Sequence, residues 1–383
     1  MEPLRAVGTM SGTSLDGVDA AEIWTDGETI HRFGRTAYRD YSDGQRAVLR
    51  AALGLWQGEP GVAQAAQVVE DAHLDLLRGF PEAVLVAFHG QTLAHDPAGG
   101  RTHQAGDGAR LAKELGRRVV WDFRSADVAL GGEGAPLAPA FHHACARWIG
   151  AEAPVAFLNL GGVGNLTWVD PAKADMAEEG ALLAFDTGPA NAPINDLCQR
   201  VLGKPYDRDG RLALEGIADG ALVAEVMQHR YFFRLPPKSL DRDDFAEVGA
   251  GIGALRLADA VATWVAVIAA SVDHALDQCP TRPTALLVTG GGRRNAAIMA
   301  ALRAIHPAAA PVETVGLNGD MLEAQAFAYL AVRVRRGLAT SFPGTTGVAA
   351  AVGGGQVSDP PGAVDSVPGH ARHQSRRRLT GLR

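Results

Sequence analysis

Lysine is scarce in this sequence. Of its 36 basic side chains, only Lys113, Lys173, Lys204 and Lys238 are lysine and the rest are arginine. A phosphate loop built round a lysine is excluded, because no G-x-x-x-x-G-K-[ST] string occurs and Gly203-Lys204 is followed by Pro205. G-x-G-x-x-G is also missing. Cysteine is limited to Cys145, Cys198 and Cys279, an odd number set far apart, which excludes a disulfide framework and points to a reducing, cytoplasmic setting. The longest apolar run, Ala260 to Val272, is Ala-rich, lies between Asp259 and Asp273, and falls short of the roughly 20 residues of a membrane span. The start, MEPLRAVGTM, lacks the basic and apolar regions of a signal peptide. Basic charge is in deficit too. The balance 36 − 43 = −7 argues against nucleic acid or an anionic membrane as partner.

What is present is a folded composition, 47% hydrophobic and 21% charged, in 383 residues. That length exceeds one ordinary core, so two domains are expected. Leu4–Thr9 and Val18–Trp24 read as strands flanking a polar loop, followed by helices over 43–55 and 62–77. Ala83–Phe88 is a strand running into the polar loop HGQTLAHDP. A short helix over 108–115 and a strand over 119–123 complete an α/β layer. Near residue 154 the opening recurs: strand 154–159, the turn GGVGN, and the return strand 166–169. Two lobes of like construction are expected. Strand 182–185, helices 191–202 and 254–277, strand 285–289 and helix 320–336 follow. Residues 353–383, rich in Gly, Pro, Ser and Arg, are expected to be disordered.

The first loop, Ser11-Gly12-Thr13-Ser14-Leu15-Asp16-Gly17, has the form of a phosphate cradle that binds with backbone N–H groups and hydroxyls instead of lysine. Asp16 would repel phosphate unless a cation such as Mg²⁺ intervened, so Asp16 is the candidate metal ligand. A second loop, Asn159 to Asn165 with Gly161 and Gly162, and a third, Gly290-Gly291-Gly292, suit a nucleotide gripped from several sides, although tight turns alone also favour glycine. Asp186 ends an apolar strand, where it is either a catalytic base or the cap of the next helix. Glu323 opens a helix, a position that also complements the helix dipole. His89, Gln91, Thr92, His95 and Asp96 form a candidate sugar-binding loop, with His89, Gln91, Thr92 and Asn165 as the substrate candidates. The alternative, a metal site, is disfavoured because the spacing lacks a helical H-x-x-x-H pair and no cysteine lies near. His142-His143 is expected on a solvated helix face, and Arg124 with Asp127 as an ion pair.

Taken in order, MSGTSLDGVD, FHGQTLAHDP, DFRSADVALGGEGAPLAPAFH, FLNLGGVGNLTWV, AFDTGPANAPIND, LLVTGGGRRN and GDMLEAQAFAYLAVR closely resemble the anhydro-N-acetylmuramic acid kinases of bacterial peptidoglycan recycling. The resemblance implies an α/β fold of two ribonuclease-H-like lobes, as in the sugar kinase, actin and heat-shock chaperone superfamily, with ATP and Mg²⁺ in the interlobe cleft. It places lobe I at residues 1–135 with a C-terminal element near 338–352 returning to it, and lobe II at 136–337. It implies that Gly12, Thr13, Ser14, Leu15, Asp16, Gly17, Val18 and Asp19 hold the phosphates, that Asp186 is the base, and that Glu323 is a second active-site carboxylate. Ala190, Asn195, Gly164 and Arg293-Arg294 depart from the family's usual residues. The substrate expected is a small anhydro amino sugar, and a homodimer is compatible with this. The alternatives are a kinase for another anhydro sugar such as levoglucosan, or a nucleotide-switched assembly ATPase of the same superfamily.

Overall fold

The structure, a computed structural model, describes residues 1–240, 244, 245 and 247–363. Its strands are β1 (Leu4–Ser11), β2 (Gly17–Thr25), β3 (Ile30–Asp40), β4 (Leu85–Asp96), β5 (Arg101–Ala105) and β6 (Arg118–Trp121), then β7 (Val155–Leu160), β8 (Val163–Val169), β9 (Leu182–Pro189), β10 (Leu286–Thr289), β11 (Ala309–Pro311) and β12 (Gln356–Ser358). They form two sheets, ordered β12-β6-β4-β1-β2-β3 and β11-β10-β7-β8-β9, with β5 paired to β4.

The repeat seen faintly in the sequence is a repeat of topology. In each sheet three consecutive strands form an antiparallel meander, and two later strands then add in parallel beside the first. Parallel strands place ligand-facing loops at their carboxyl ends, and both sets of glycine turns lie at such ends.

Between the sheets run the helices Pro139–Trp148 and Leu322–Arg335, whose side chains join Ala6, Leu85 and Val120 of one sheet to Phe157, Leu182 and Leu287 of the other in one apolar cluster. Contact is close enough that a Cβ on Gly8 of β1 would lie 2.0 Å from the Ala324 carbonyl and 2.3 Å from the Ala328 nitrogen. Helices Val62–Leu77 and Gly108–Leu115 cover the outer face of the first sheet. Helices Asn191–Leu202, Leu257–Asp277 and Ala296–Ile305 cover that of the second. Helix Leu257–Asp277 is long and apolar enough to cross a membrane by length and composition, but Val261, Trp264, Ile268 and Val272 pack into the second lobe.

Several expectations are corrected. HGQTLAHDP is not a loop but the outer half of β4, zipped to β5. His142 and His143 are not solvated, because residues 139–146 of their helix are all buried: His142 stacks on Phe157 at 4.6 Å, and His143 Nε2 lies 2.8 Å from the Lys173 carbonyl. Residues 353–363 are not a free tail, since β12 pairs antiparallel with β6 and Trp121 Nε1 donates to Ser358 Oγ at 3.0 Å. The remainder of that segment, 364–383, lies outside the described residues. Helix Leu322–Arg335, which precedes the C-terminal element expected near 338–352, packs on β1.

Candidate active site

The first loop is anchored at several points. Leu15 takes a left-handed conformation, φ 58°, with its N–H donating to the Gly12 carbonyl at 3.1 Å and its side chain buried. The Asp16 carbonyl accepts from the Tyr41 N–H at 2.9 Å. Ser11 Oγ donates to Gln91 Oε1 at 2.5 Å, and Gln91 Nε2 donates to the Gly12 carbonyl at 3.2 Å. Val18 is also buried, so Leu15 and Val18 contribute packing and main chain. Thr13, Ser14 and Asp16 are left exposed at the tip. A Cβ on Gly12 would meet only Ser14 Oγ, at 3.7 Å, so that face of the loop is open. An open glycine face ringed by hydroxyls suits a phosphate oxygen.

The second and third loops are packed on one another. Gly161 and Gly162 form the β7–β8 turn, and their carbonyls accept from the N–H groups of Asn191 at 2.9 Å and Ala190 at 3.0 Å. A Cβ on Gly290, φ 73°, would lie 2.3 Å from Asn159 Oδ1, and one on Gly292 would lie 2.6 Å from Leu160 Cβ. Gly291 is open, with Asn191 Nδ2 nearest at 3.7 Å. Gly164 is explained by Thr187, whose Oγ1 would be 2.4 Å from a Cβ there. Arg293 is nearly buried. It donates to the Gly290 carbonyl at 2.8 Å, Glu313 at 2.9 Å and Asp320 at 2.8 Å, while Arg294 reaches the other Asp320 oxygen at 2.5 Å.

Asp320 connects the two sides of the cleft. Burial pushes the Asp19 carboxyl up to about 7, and the charges of Glu323, Asp320 and Asp16 add to that. Those four acids therefore share one electrostatic neighbourhood, formed where the first loop faces the segment that Arg293 ties to the third. Glu323 is reachable by water. Protein crowding on its other sides raises its carboxyl, with Arg124 partly opposing. Arg124 is not ion-paired to Asp127 as expected. Its guanidinium donates to His89 Nε2 at 3.0 and 3.2 Å and to the Gly134 carbonyl at 2.7 Å, whereas Asp127 accepts from Ser341 at 2.5 Å and Thr346 at 2.7 Å. His89 is buried and held neutral by desolvation and by Arg124, with Nδ1 directed at the Gly90 carbonyl at 3.0 Å.

Asp186 stands on β9 opposite Asn165 of β8. One carboxylate oxygen accepts from Asn165 Nδ2 at 2.9 Å and the other from the Leu240 N–H at 2.8 Å. It does not cap the next helix, whose N-cap is Ala190 with no side-chain bond. Burial raises its carboxyl to about 6, against the lowering effect of those two hydrogen bonds. The Asp186 main chain is gripped as well, its N–H donating to the Lys238 carbonyl at 3.0 Å and its carbonyl accepting from Tyr231. Lys238 is buried, with its ammonium on the Arg234 carbonyl at 3.0 Å and its pKa lowered by burial to about 8.

The structure thus brings Asp16, Asp19 and Glu323 together on one side, and Asp186 and Asn165 together on the other. Gln91 fixes the first loop, and Thr92 accepts from Gln104 at 3.3 Å. Sequence reasoning passed over Tyr231, Lys238 and Leu240, the supports of Asp186. The one local signal was Pro236-Pro237 before a rare lysine.

Two lobes of matching topology, with glycine turns and carboxylates gathered at their strand ends, define the sugar kinase and actin-like ATPase class of fold. The sequence profile described as anhydro-N-acetylmuramic acid kinase matches residues 4–359, and the chain belongs to that family. It is 63% identical over 356 residues to the anhydro-N-acetylmuramic acid kinase of Cereibacter sphaeroides, covering 93% of this chain and 96% of that one. The protein of the same name from Ruegeria sp. is 59% identical, with 94% and 96% covered, and that from Acidiphilium cryptum is 48% identical, with 93% and 99% covered. Among solved structures, a ROK family glucokinase from Streptomyces griseus in complex with glucose and AMPPNP superposes with a TM-score of 0.40 at 14% identity, covering 85% of this chain and 99% of that one. That likeness is too loose to bear on the site.

Proposed function

We propose that the protein is an ATP-dependent kinase that opens 1,6-anhydro-N-acetylmuramic acid and yields N-acetylmuramic acid 6-phosphate, in the cytoplasmic reuse of cell-wall fragments. Asp186 carries the proposal: a half-buried carboxylate, fixed at both oxygens and raised to about 6, has the properties of a general base working near neutral pH. A 1,6-anhydro sugar has no free 6-hydroxyl to phosphorylate. Asp186 takes a proton from water as the water oxygen bonds to the anomeric carbon. The bond from that carbon to O6 breaks, and the electron pair released on O6 attacks the γ-phosphorus, with ADP leaving. Phosphorus thus takes the place of the acid that would otherwise protonate the leaving oxygen.

The N–H groups and hydroxyls of residues 12–19 receive the phosphates, and the glycines at 161–162 and 290–292 flank the remainder of the nucleotide. His89 and Thr92 line the sugar end; Gln91 and Asn165 act there by orienting the first loop and Asp186. Mg²⁺ keeps waters and binds through one or two carboxylates plus phosphate, and Asp16 and Asp19, whose charges act on one another, would hold it. When bound, Mg²⁺ neutralises phosphate charge. ADP release measured with no sugar, with anhydro-N-acetylmuramic acid, with levoglucosan and with glucose tests the proposal. Turnover only with the first sugar is expected, and equal turnover without sugar would overturn it.

A further inference from the structure

A further carboxylate approaches Asp186 from the opposite lobe. Glu133 lies in the segment that follows the Ser125–Ala129 helix, and its main chain is fixed on both sides. Its N–H donates to the Thr346 carbonyl at 2.8 Å, and its carbonyl accepts from His95 Nε2 at 2.9 Å. The flanking glycines are tied as well: Gly134 donates to Asp127 at 2.7 Å, and a Cβ on Gly132 would lie 2.2 Å from the same carboxylate. From that mount the Glu133 side chain accepts from Ser239 Oγ at 3.3 Å. The next residue, Leu240, donates its N–H to Asp186 Oδ2.

Among the described residues the cations nearby are bonded to other groups, Arg234 to the Ser239 carbonyl at 3.3 Å. Arg124 is bonded to His89 and Gly134, Lys238 to main-chain carbonyls, and His95 is held toward its neutral form by burial and by Arg124. Tyr231 donates to the Asp186 carbonyl and not to its carboxylate, and Asn165 is uncharged.

We propose that Glu133 is a positioning residue for the reaction, gripping Ser239 so that the Leu240 N–H stays on Asp186. This rests on the role given to Asp186 above. Burial is the larger cause of the raised Asp186 carboxyl, and the Glu133 charge adds to it.

The test follows the Asp186 carboxyl carbon by NMR across pH in wild type, Glu133→Gln and Ser239→Ala, with the signal assigned by its loss in Asp186→Asn. The pH profile of kcat/KM is recorded in parallel. Glutamine keeps an oxygen for Ser239 but removes the charge, so its Asp186 midpoint and acid limb should move down by about half a pH unit. Ser239→Ala should lower the plateau and move the limb up, because a looser Leu240 N–H no longer holds the Asp186 carboxyl down. An Asp186 midpoint unchanged in either variant would overturn the proposal. Absence of sugar-dependent turnover in wild type would overturn the kinase function instead, with the NMR titration still deciding the role of Glu133.

Discussion

Asparagine at position 186 keeps an oxygen for Asn165 and the same volume, but it cannot take a proton. Asp186→Asn should therefore lower kcat by about a hundred- to ten-thousandfold while leaving nucleotide affinity nearly unchanged, a split that calorimetric titration and steady-state rates would resolve. Near-normal turnover would remove Asp186 from the role of base. At this scale the sequence marked candidates by local context, an acid after an apolar run and hydroxyls between glycines, although Asp186 lies inside β9 and not at its end. It was silent on Tyr231, Lys238, Leu240 and Glu133, which come to Asp186 from segments far along the chain and carry no local mark. Gln91 shows the converse. It reads as a sugar ligand, yet its amide is already engaged by Ser11 and Gly12.

Among the elements, the contact of β1 with helix Leu322–Arg335 is the least tolerant. At Gly8 a methyl group would meet main-chain atoms at 2.0 and 2.3 Å, and a helix backbone cannot turn aside as a flexible side chain can. Gly8→Ala should cost about 3 kcal/mol of stability, measured by denaturant unfolding, and should reduce activity as well, because Glu323 rides on that helix. A variant as stable and active as wild type would mean that the helix has room to withdraw. Helices with strong caps or clear periodicity were legible: Val62–Leu77, Gly108–Leu115 and Asn191–Leu202 fall at their expected positions. β3 and β5 were missed, since neither contains an apolar run, β3 being arginine-rich and largely exposed and β5 reading RTHQA. β12 was missed because three residues in a glycine-rich stretch become a strand only when β6 offers an edge.

For the whole molecule, the charge of the cleft should be visible in stability. An Asp19 carboxyl raised to about 7 holds its proton in the fold at pH values where the unfolded chain has released it. Its contribution is fully present below about pH 4 and is lost as pH rises through 7. The buried histidines His73 and His142, lowered by desolvation to about 4 and about 3, work in the opposite direction, so the informative quantity is a difference between proteins sharing them. The melting temperature of Asp19→Asn minus that of wild type, without ligands, should be near zero at pH 4, grow to pH 7 and then level off. A difference independent of pH in scanning calorimetry would show that Asp19 titrates normally. The two-lobed plan itself was legible from one repeated device, a strand, a glycine turn and a return strand. Which residues face each other across the cleft was not, because that depends on how the sheets are set about their shared helices.

Lys238 has its ammonium closed against carbonyl oxygens, and no lysine lies in any glycine loop. Acylation that caps an amine touching phosphate therefore has no target at the phosphate end proposed for this protein. Exhaustive acetylation with acetic anhydride would modify Lys113 and Lys204 on the surface and should leave ATP affinity intact. The protein would then go on phosphorylating while lysine-dependent kinases beside it are switched off.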